Sequence, residues 1–158
     1  MMNGALTIGT LDGANIEITE EVGEDHIFIF GLRAPEVAAL KSAGYRPSEW
    51  LDRVPGLRES IELISEDHFS RAEPGLFRPL VDYLLGSDPY MVLADFGDYL
   101  LAQQDAEARF LDRKSWTRSS IINVAHSGRF SSDRSITDYA RDIWRAPCRG
   151  LGKPRSAR

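Results

Sequence analysis

The stretch from Asn3 to Asn15 (Asn-Gly-Ala-Leu-Thr-Ile-Gly-Thr-Leu-Asp-Gly-Ala-Asn) constrains this chain more than any other. Its run Ala5 to Gly9 is apolar and β-branched, the character of a strand covered on both faces. Asp12-Gly13 is a turn dipeptide, and Ala14 to Val22 reads as a short helix ended by Gly23. A second apolar run, His26 to Gly31, predicts another strand inside a parallel sheet. Parallel strands need a crossover connection, which the Ala14 to Val22 helix supplies, so the opening reads as the tail of a βαβ unit.

Helices dominate the remainder. Pro35 opens one that runs to Gly44, and Pro47 and Pro55 introduce two further pieces, the second with Leu57, Ile61 and Ile64 on one face. Ser70 to Gly75 is a polar turn. Leu76 to Leu85 forms an amphipathic helix stopped by Gly86-Ser87-Asp88-Pro89. Met91 to Ala94 reads as a third short strand, followed by a helix from Gly97 to Leu111. The next helix, Lys114 to His126, is expected to turn Trp116, Ile121 and Val124 toward the core. Ser135 with Asp138 has capping-box spacing, and Ile136, Tyr139, Ala140, Ile143 and Trp144 follow at helical period. Pro147 closes this last helix. From Arg145 onward the chain is basic and reads as a disordered tail. The fold class is therefore α/β, a partial Rossmann-like lobe with few parallel strands and many helices, with residues 1–146 as the domain and 147–158 as the tail.

At 158 residues, 42% of them hydrophobic, the chain is long enough for one domain with a core. A net charge of -5 argues against a general nucleic-acid or membrane-surface binder. No apolar run approaches a membrane span and the opening residues lack the pattern of a signal peptide, so the expected location is cytoplasmic. The single cysteine, Cys148, has no partner for an internal disulfide and reads as an incidental thiol.

The segment from Asn3 to Asn15 resembles the one that follows the cofactor lysine in α-glucan phosphorylases, the glycogen, starch and maltodextrin enzymes. Thirteen consecutive positions fit the family pattern. The likeness continues at Phe28-Ile29-Phe30-Gly31, at Val92-Leu93-Ala94-Asp95-Phe96, from Ser127 to Ile136 and from Tyr139 to Trp144. It implies the second half of the C-terminal lobe of a two-lobed glycosyltransferase B-type fold. It also implies an enzyme that releases glucose 1-phosphate from an α-1,4-glucan with inorganic phosphate, using pyridoxal phosphate. By the family spacing, the lysine that carries this cofactor would lie just ahead of Met1. The resemblance thus implies a C-terminal fragment in which Met1 stands at an internal position of the motif. Such a chain would be inactive alone, hold no cofactor covalently, and have the missing N-terminal part as its partner, with glucan and phosphate bound only by the complete enzyme. No catalytic residue carries over. Asn3, Gly4 and Thr7 match the motif nearest the lysine and are the candidates to orient it indirectly.

Other constellations carry less. Gly4, Gly9 and Gly13 do not have the G-x-G-x-x-G spacing of a nucleotide loop, which argues against another Rossmann-like nucleotide binder. His26, His68 and His126 are too dispersed for a metal site, and none is expected. The acids Glu20, Glu21, Glu24 and Asp25 read as a solvated face. The loop Ser127 to Arg134 could bind an anion, but Ser and Asp capping the last helix and arginines pairing with nearby acids are the favoured account of its composition. A second functional class stays open: a non-catalytic interaction module that associates through the uncovered edge of its half-sheet.

Overall fold

The computed structural model describes residues 1–146. Strands β1 (Ile8–Thr10) and β2 (Phe28–Phe30) pair in parallel, Ile8 opposite Phe28 and Thr10 opposite Phe30, and form a two-stranded sheet. Helix α1 (Gly13–Val22) is the crossover between them, followed by a 3₁₀ turn at Glu24–His26. The expected βαβ unit is present with shorter strands. Both strands of the pair have no further strand beside them among the described residues.

Helices α2 (Ala34–Ser42), α3 (Leu57–Ser65) and α4 (Arg78–Gly86) follow, with a 3₁₀ helix at Pro47–Asp52 between the first two. Leu57, Ile61, Val81 and Leu93 are buried together, with Trp50, Leu51, Val54, Leu84, Leu85 and Phe96 packed around them. Removing one such side chain, Leu57→Ala, costs about 2–5 kcal/mol in cores of this kind. The main core thus sits beneath α3 and α4, away from the strands.

The run Met91 to Ala94 is not a strand. It begins α5 (Val92–Leu111), a helix of 20 residues that packs along β2. A short apolar run does not by itself distinguish strand from buried helix; here the chain before it decides. Asp88, 1% exposed, accepts the Val92 and Leu93 N–H groups, each at 2.9 Å, so the first free donors of a helix are satisfied at that point. Met91 takes a left-handed φ of 60° to bring this about. The Tyr45 hydroxyl donates to the same carboxylate at 2.6 Å, and burial together with this bond pushes the phenol above its ordinary range.

Helix α6 (Arg113–Ala125) is rotated relative to expectation. Ile121 and Val124 are 63% and 43% exposed, while Ser119 and Asn123 are buried. Polar side chains that find hydrogen-bond partners inward have displaced the apolar ones. Trp116 is half-buried, edge-on to Phe110. Helix α7 (Ser132–Asp138) has Ser131, not Ser135, at its N-terminal boundary and runs on into a π-helical turn at Tyr139–Ile143. Ser135 instead donates to the Ser131 carbonyl, and Asp138 is taken by Arg134 and Arg141, so no capping box forms there. The closing Pro147, Cys148 and the basic tail lie outside the described residues.

Replacing Asp88 by Ala strands two helix N–H groups and a phenol. It is expected to lower stability by about 2–4 kcal/mol, with Asp88→Asn closer to the parent. Urea unfolding of the three proteins checks this; equal midpoints would contradict it.

Candidate functional site

The three motif candidates lie ahead of and within the approach to β1. Asn3 accepts the Ala5 N–H through its side chain at 3.1 Å. Gly4 closes a turn by donating to the Met1 carbonyl, and its own carbonyl accepts the Ser120 hydroxyl of α6 at 2.7 Å. Glycine is required there twice over: φ is +76°, and a Cβ would come 2.4 Å from Ser120 Oγ. Thr7 gives its carbonyl to the Phe28 N–H at 2.9 Å, the first rung of the sheet. The structure brings Asn3 and Gly4 together in one turn against α6 and places Thr7 just ahead of β1, bonded to the first residue of β2.

Beyond β1, the motif folds back on itself. Thr10 donates to Asp12 at 3.1 Å, and Asn15 reaches back to the Thr10 carbonyl at 2.9 Å. A Cβ at Gly9 would meet the Asn15 amide at 2.4 Å. Gly9 and Asn15 are thus one steric unit, and the turn between strand and helix is held by side chains the motif itself supplies.

Sequence reasoning missed the groups behind the strands. At the end of β2, Asp95 accepts the Leu32 N–H at 2.9 Å, and Gly31, with φ of +78°, would place a Cβ 2.7 Å from that carboxylate. Burial pushes the Asp95 carboxyl above the usual range, opposed by the Leu32 bond and reinforced by Asp98 and Asp88. Before β2, Asn123 donates to the His26 and Ser119 carbonyls at 2.9 and 3.0 Å, and Ser119 Oγ lies 2.9 Å from His26 Nδ1. Asn123 is fully buried and its Oδ1 has no partner among the described residues. Asp95 lay within the quoted Val92 to Phe96 likeness; nothing in the α6 sequence marked Ser119 or Asn123.

The dispersed groups have local partners. Glu21 lies 3.7 Å from His126 and 3.5 Å from Arg129, and Arg134 pairs with Asp138 at 2.6 Å. In the Ser127 to Arg134 loop, Arg129 and Arg134 are thereby committed to acids. His68 stands edge-on to Phe69. No group of three or more His, Cys, Asp or Glu that could hold a metal occurs among the described residues.

A cavity of about 450 Å³ runs along β2 and is lined by Leu11, Phe28, Phe30, Arg33, Asp98 and Arg109 among others. Arg109 stacks over the Phe28 ring and donates to the Asp25 carbonyl. Carboxylates share the cavity with the two guanidinium groups, so it lacks the converging donors an anion requires. Pyridoxal phosphate does not fit the residues at hand. The lysines of the sequence are Lys41, Lys114 and Lys153, none of them in the motif, and the polar groups of Asn3, Gly4 and Thr7 described above are spent within the fold. No helix among the described residues is long and apolar enough to cross a membrane.

Because the native state holds the Asp95 proton more tightly than the unfolded chain, this group's stabilising contribution is full below the ordinary carboxylate pKa. It declines as pH rises through the raised native value. Asp95→Asn keeps an acceptor for Leu32 and removes the charge. Its stability relative to the parent is therefore expected to increase from about pH 4 to about pH 7. Urea midpoints at both values check this, and a difference that shrinks with pH would contradict it.

Comparison with known proteins agrees with this architecture. A family model described as carbohydrate phosphorylase matches residues 1–146. The glycogen phosphorylase of Synechocystis sp. is 52% identical over 143 residues, 90% of this chain and 17% of the relative. The human muscle form of glycogen phosphorylase is 49% identical over 144 residues, 91% of this chain and 17% of the relative. The bovine brain form is 47% identical over 154 residues, 98% of this chain and 18% of the relative. The chain thus spans about a sixth of the length of the curated relatives it matches. A match covering the sheet, its crossover and every described helix places this chain in the carbohydrate phosphorylase family.

Proposed function

We infer that residues 1–146 act as the C-terminal part of the C-terminal lobe of an α-glucan phosphorylase, an enzyme that releases glucose 1-phosphate from an α-1,4-glucan with inorganic phosphate. The observation that carries this reading is the continuous family match over residues 1–146, headed by the Asn3–Asn15 segment. Pyridoxal phosphate is the cofactor of the complete enzyme, where its phosphate group serves the reaction. Asn3, Gly4 and Thr7 act indirectly, by fixing the path of the chain between the cofactor lysine and β1. Without that lysine, the 158 residues by themselves hold no cofactor covalently and perform no phosphorolysis. Their partner is the rest of a phosphorylase polypeptide, and glucan and phosphate bind only to the whole. A cytoplasmic location belongs to the same reading and rests on the family.

A second reading, a non-catalytic interaction module that self-associates, is favoured by one observation: the two-stranded sheet has both outer edges unpaired among the described residues. Light scattering separates the two, since a stable oligomer of the isolated chain with a cooperative unfolding transition supports the module.

The direct test is a chimera in which residues 1–146 replace the matching segment of the Synechocystis enzyme. The soluble chimera is expected to phosphorolyse glycogen, and the isolated chain to show neither turnover nor a lysine adduct with pyridoxal phosphate. A soluble, inactive chimera or turnover by the isolated chain would overturn the reading.

A further inference from the structure

The three asparagines of the chain, Asn3, Asn15 and Asn123, stand in different chemical states. An asparagine loses its amide when the backbone nitrogen of the next residue attacks Cγ. The reaction is helped by a free leaving amide, an unshielded nucleophile and support for charge on Oδ1. Asn15 and Asn123 lack the first two. Their amide nitrogens are bound, Asn15 to the Thr10 carbonyl and Asn123 to the His26 and Ser119 carbonyls. The residues that follow, Ile16 and Val124, are β-branched and lie inside α1 and α6, where the helix holds their N–H groups. Asn3 differs. It is exposed, its amide nitrogen has no hydrogen-bond partner among the described residues, and its Oδ1 accepts the Ala5 N–H at 3.1 Å. That donor sits at the oxygen on which charge develops during the attack. The next residue is Gly4, with no side chain to shield its nitrogen. One bond opposes the reaction, from the Gly4 N–H to the Met1 carbonyl at 2.9 Å. It closes a single turn outside any helix or strand, the class of bond that opens most readily.

We propose that Asn3–Gly4 is a self-modification site, at which the folded chain converts Asn3 to aspartate and isoaspartate with water as the sole co-reactant. The Gly4 nitrogen bonds to Asn3 Cγ, the Cγ–Nδ2 bond breaks, and the Gly4 proton leaves with the amide as ammonia. Water then opens the cyclic imide. Breaking the new bond between Cγ and the Gly4 nitrogen gives aspartate in an unchanged backbone. Breaking the original bond from the Gly4 nitrogen to the Asn3 backbone carbonyl carbon gives isoaspartate, with the chain routed through the side chain and lengthened by a methylene. The lengthening falls directly ahead of Gly4, whose carbonyl accepts the Ser120 hydroxyl at 2.7 Å. Gly4 lies so close to α6 that a Cβ would come 2.4 Å from Ser120 Oγ. A contact that close has no room for a displaced backbone, so the isoaspartate form releases the segment ahead of β1 from α6. The chemistry needs this chain and water alone, and it stands whether or not the phosphorylase reading does.

Timed incubation of the unaltered 158-residue chain tests the proposal. Samples are held in mildly alkaline buffer and in concentrated urea, with circular dichroism reporting helix in each. Conversion at each asparagine is read by peptide mass and by labelling with an isoaspartyl methyltransferase. In buffer, position 3 is expected to convert at least about tenfold faster than positions 15 and 123, and within about threefold of its own rate in urea. Folding that slows position 3 by more than about tenfold would overturn the proposal, because the Met1–Gly4 turn would then protect it. So would a chain without helix in buffer, whose reactivity would owe nothing to the fold. The isoaspartate form, separated by ion exchange, is expected to show faster amide exchange at Gly4 and Ala5 than the parent. Unchanged exchange at both would contradict the release from α6.

Discussion

The two short strands are held in place by the polar face of α6. Two three-residue strands contribute few ladder bonds, and a parallel pair of that length is not stable on its own. What fixes them is the chain leading into each one. Ser120 takes the Gly4 carbonyl ahead of β1, and Asn123 takes the His26 carbonyl ahead of β2, while Ser119 meets the His26 ring. The α6 residues that grip these segments thus come from 93 to 116 positions later in the chain. Buried polar groups of this kind act at full strength only when each is satisfied, which is why their removal is felt more than their presence.

The rotation of α6 has a consequence on its other side. With serine and asparagine turned inward, isoleucine and the basic residues are left outward, so one choice sets both the grip on the strands and the character of the outer face. The main apolar core, around Leu57, Ile61, Val81 and Leu93, contains no α6 residue and takes in α5 through Leu93 and Phe96. Helix α5 links the two regions: Asp88 caps its start beside the core, and Asp95 ties its first turn to the end of β2. The segment corresponding to the family motif is therefore braced by α6 through Gly4, and from within, by its own Gly9 and Asn15.

Local signals in the sequence were sufficient for the βαβ opening, the Leu57–Ile61 helix face and the family, because each depends on residues near one another in the chain. They failed where a distant group decided. Met91 to Ala94 has strand composition, yet Asp88 satisfies the following N–H groups and helix results. Apolar periodicity pointed Ile121 and Val124 inward, yet partners at Gly4 and His26 drew the serines and the asparagine there instead. Ser135 and Asp138 have capping-box spacing, but Arg134 and Arg141 claim the aspartate. The candidates Asn3, Gly4 and Thr7 were legible as a motif; their hold on α6 and the sheet was not, because no pattern in the sequence links position 4 with position 120.

Amide hydrogen exchange in Asn123→Ala tests this account most directly. The account predicts faster exchange at Phe28, the first residue of β2 and next but one after the His26 carbonyl that Asn123 holds, with the amides of the Leu57–Ser65 helix unchanged. Exchange that accelerates evenly across the chain, or not at all at Phe28, would contradict it.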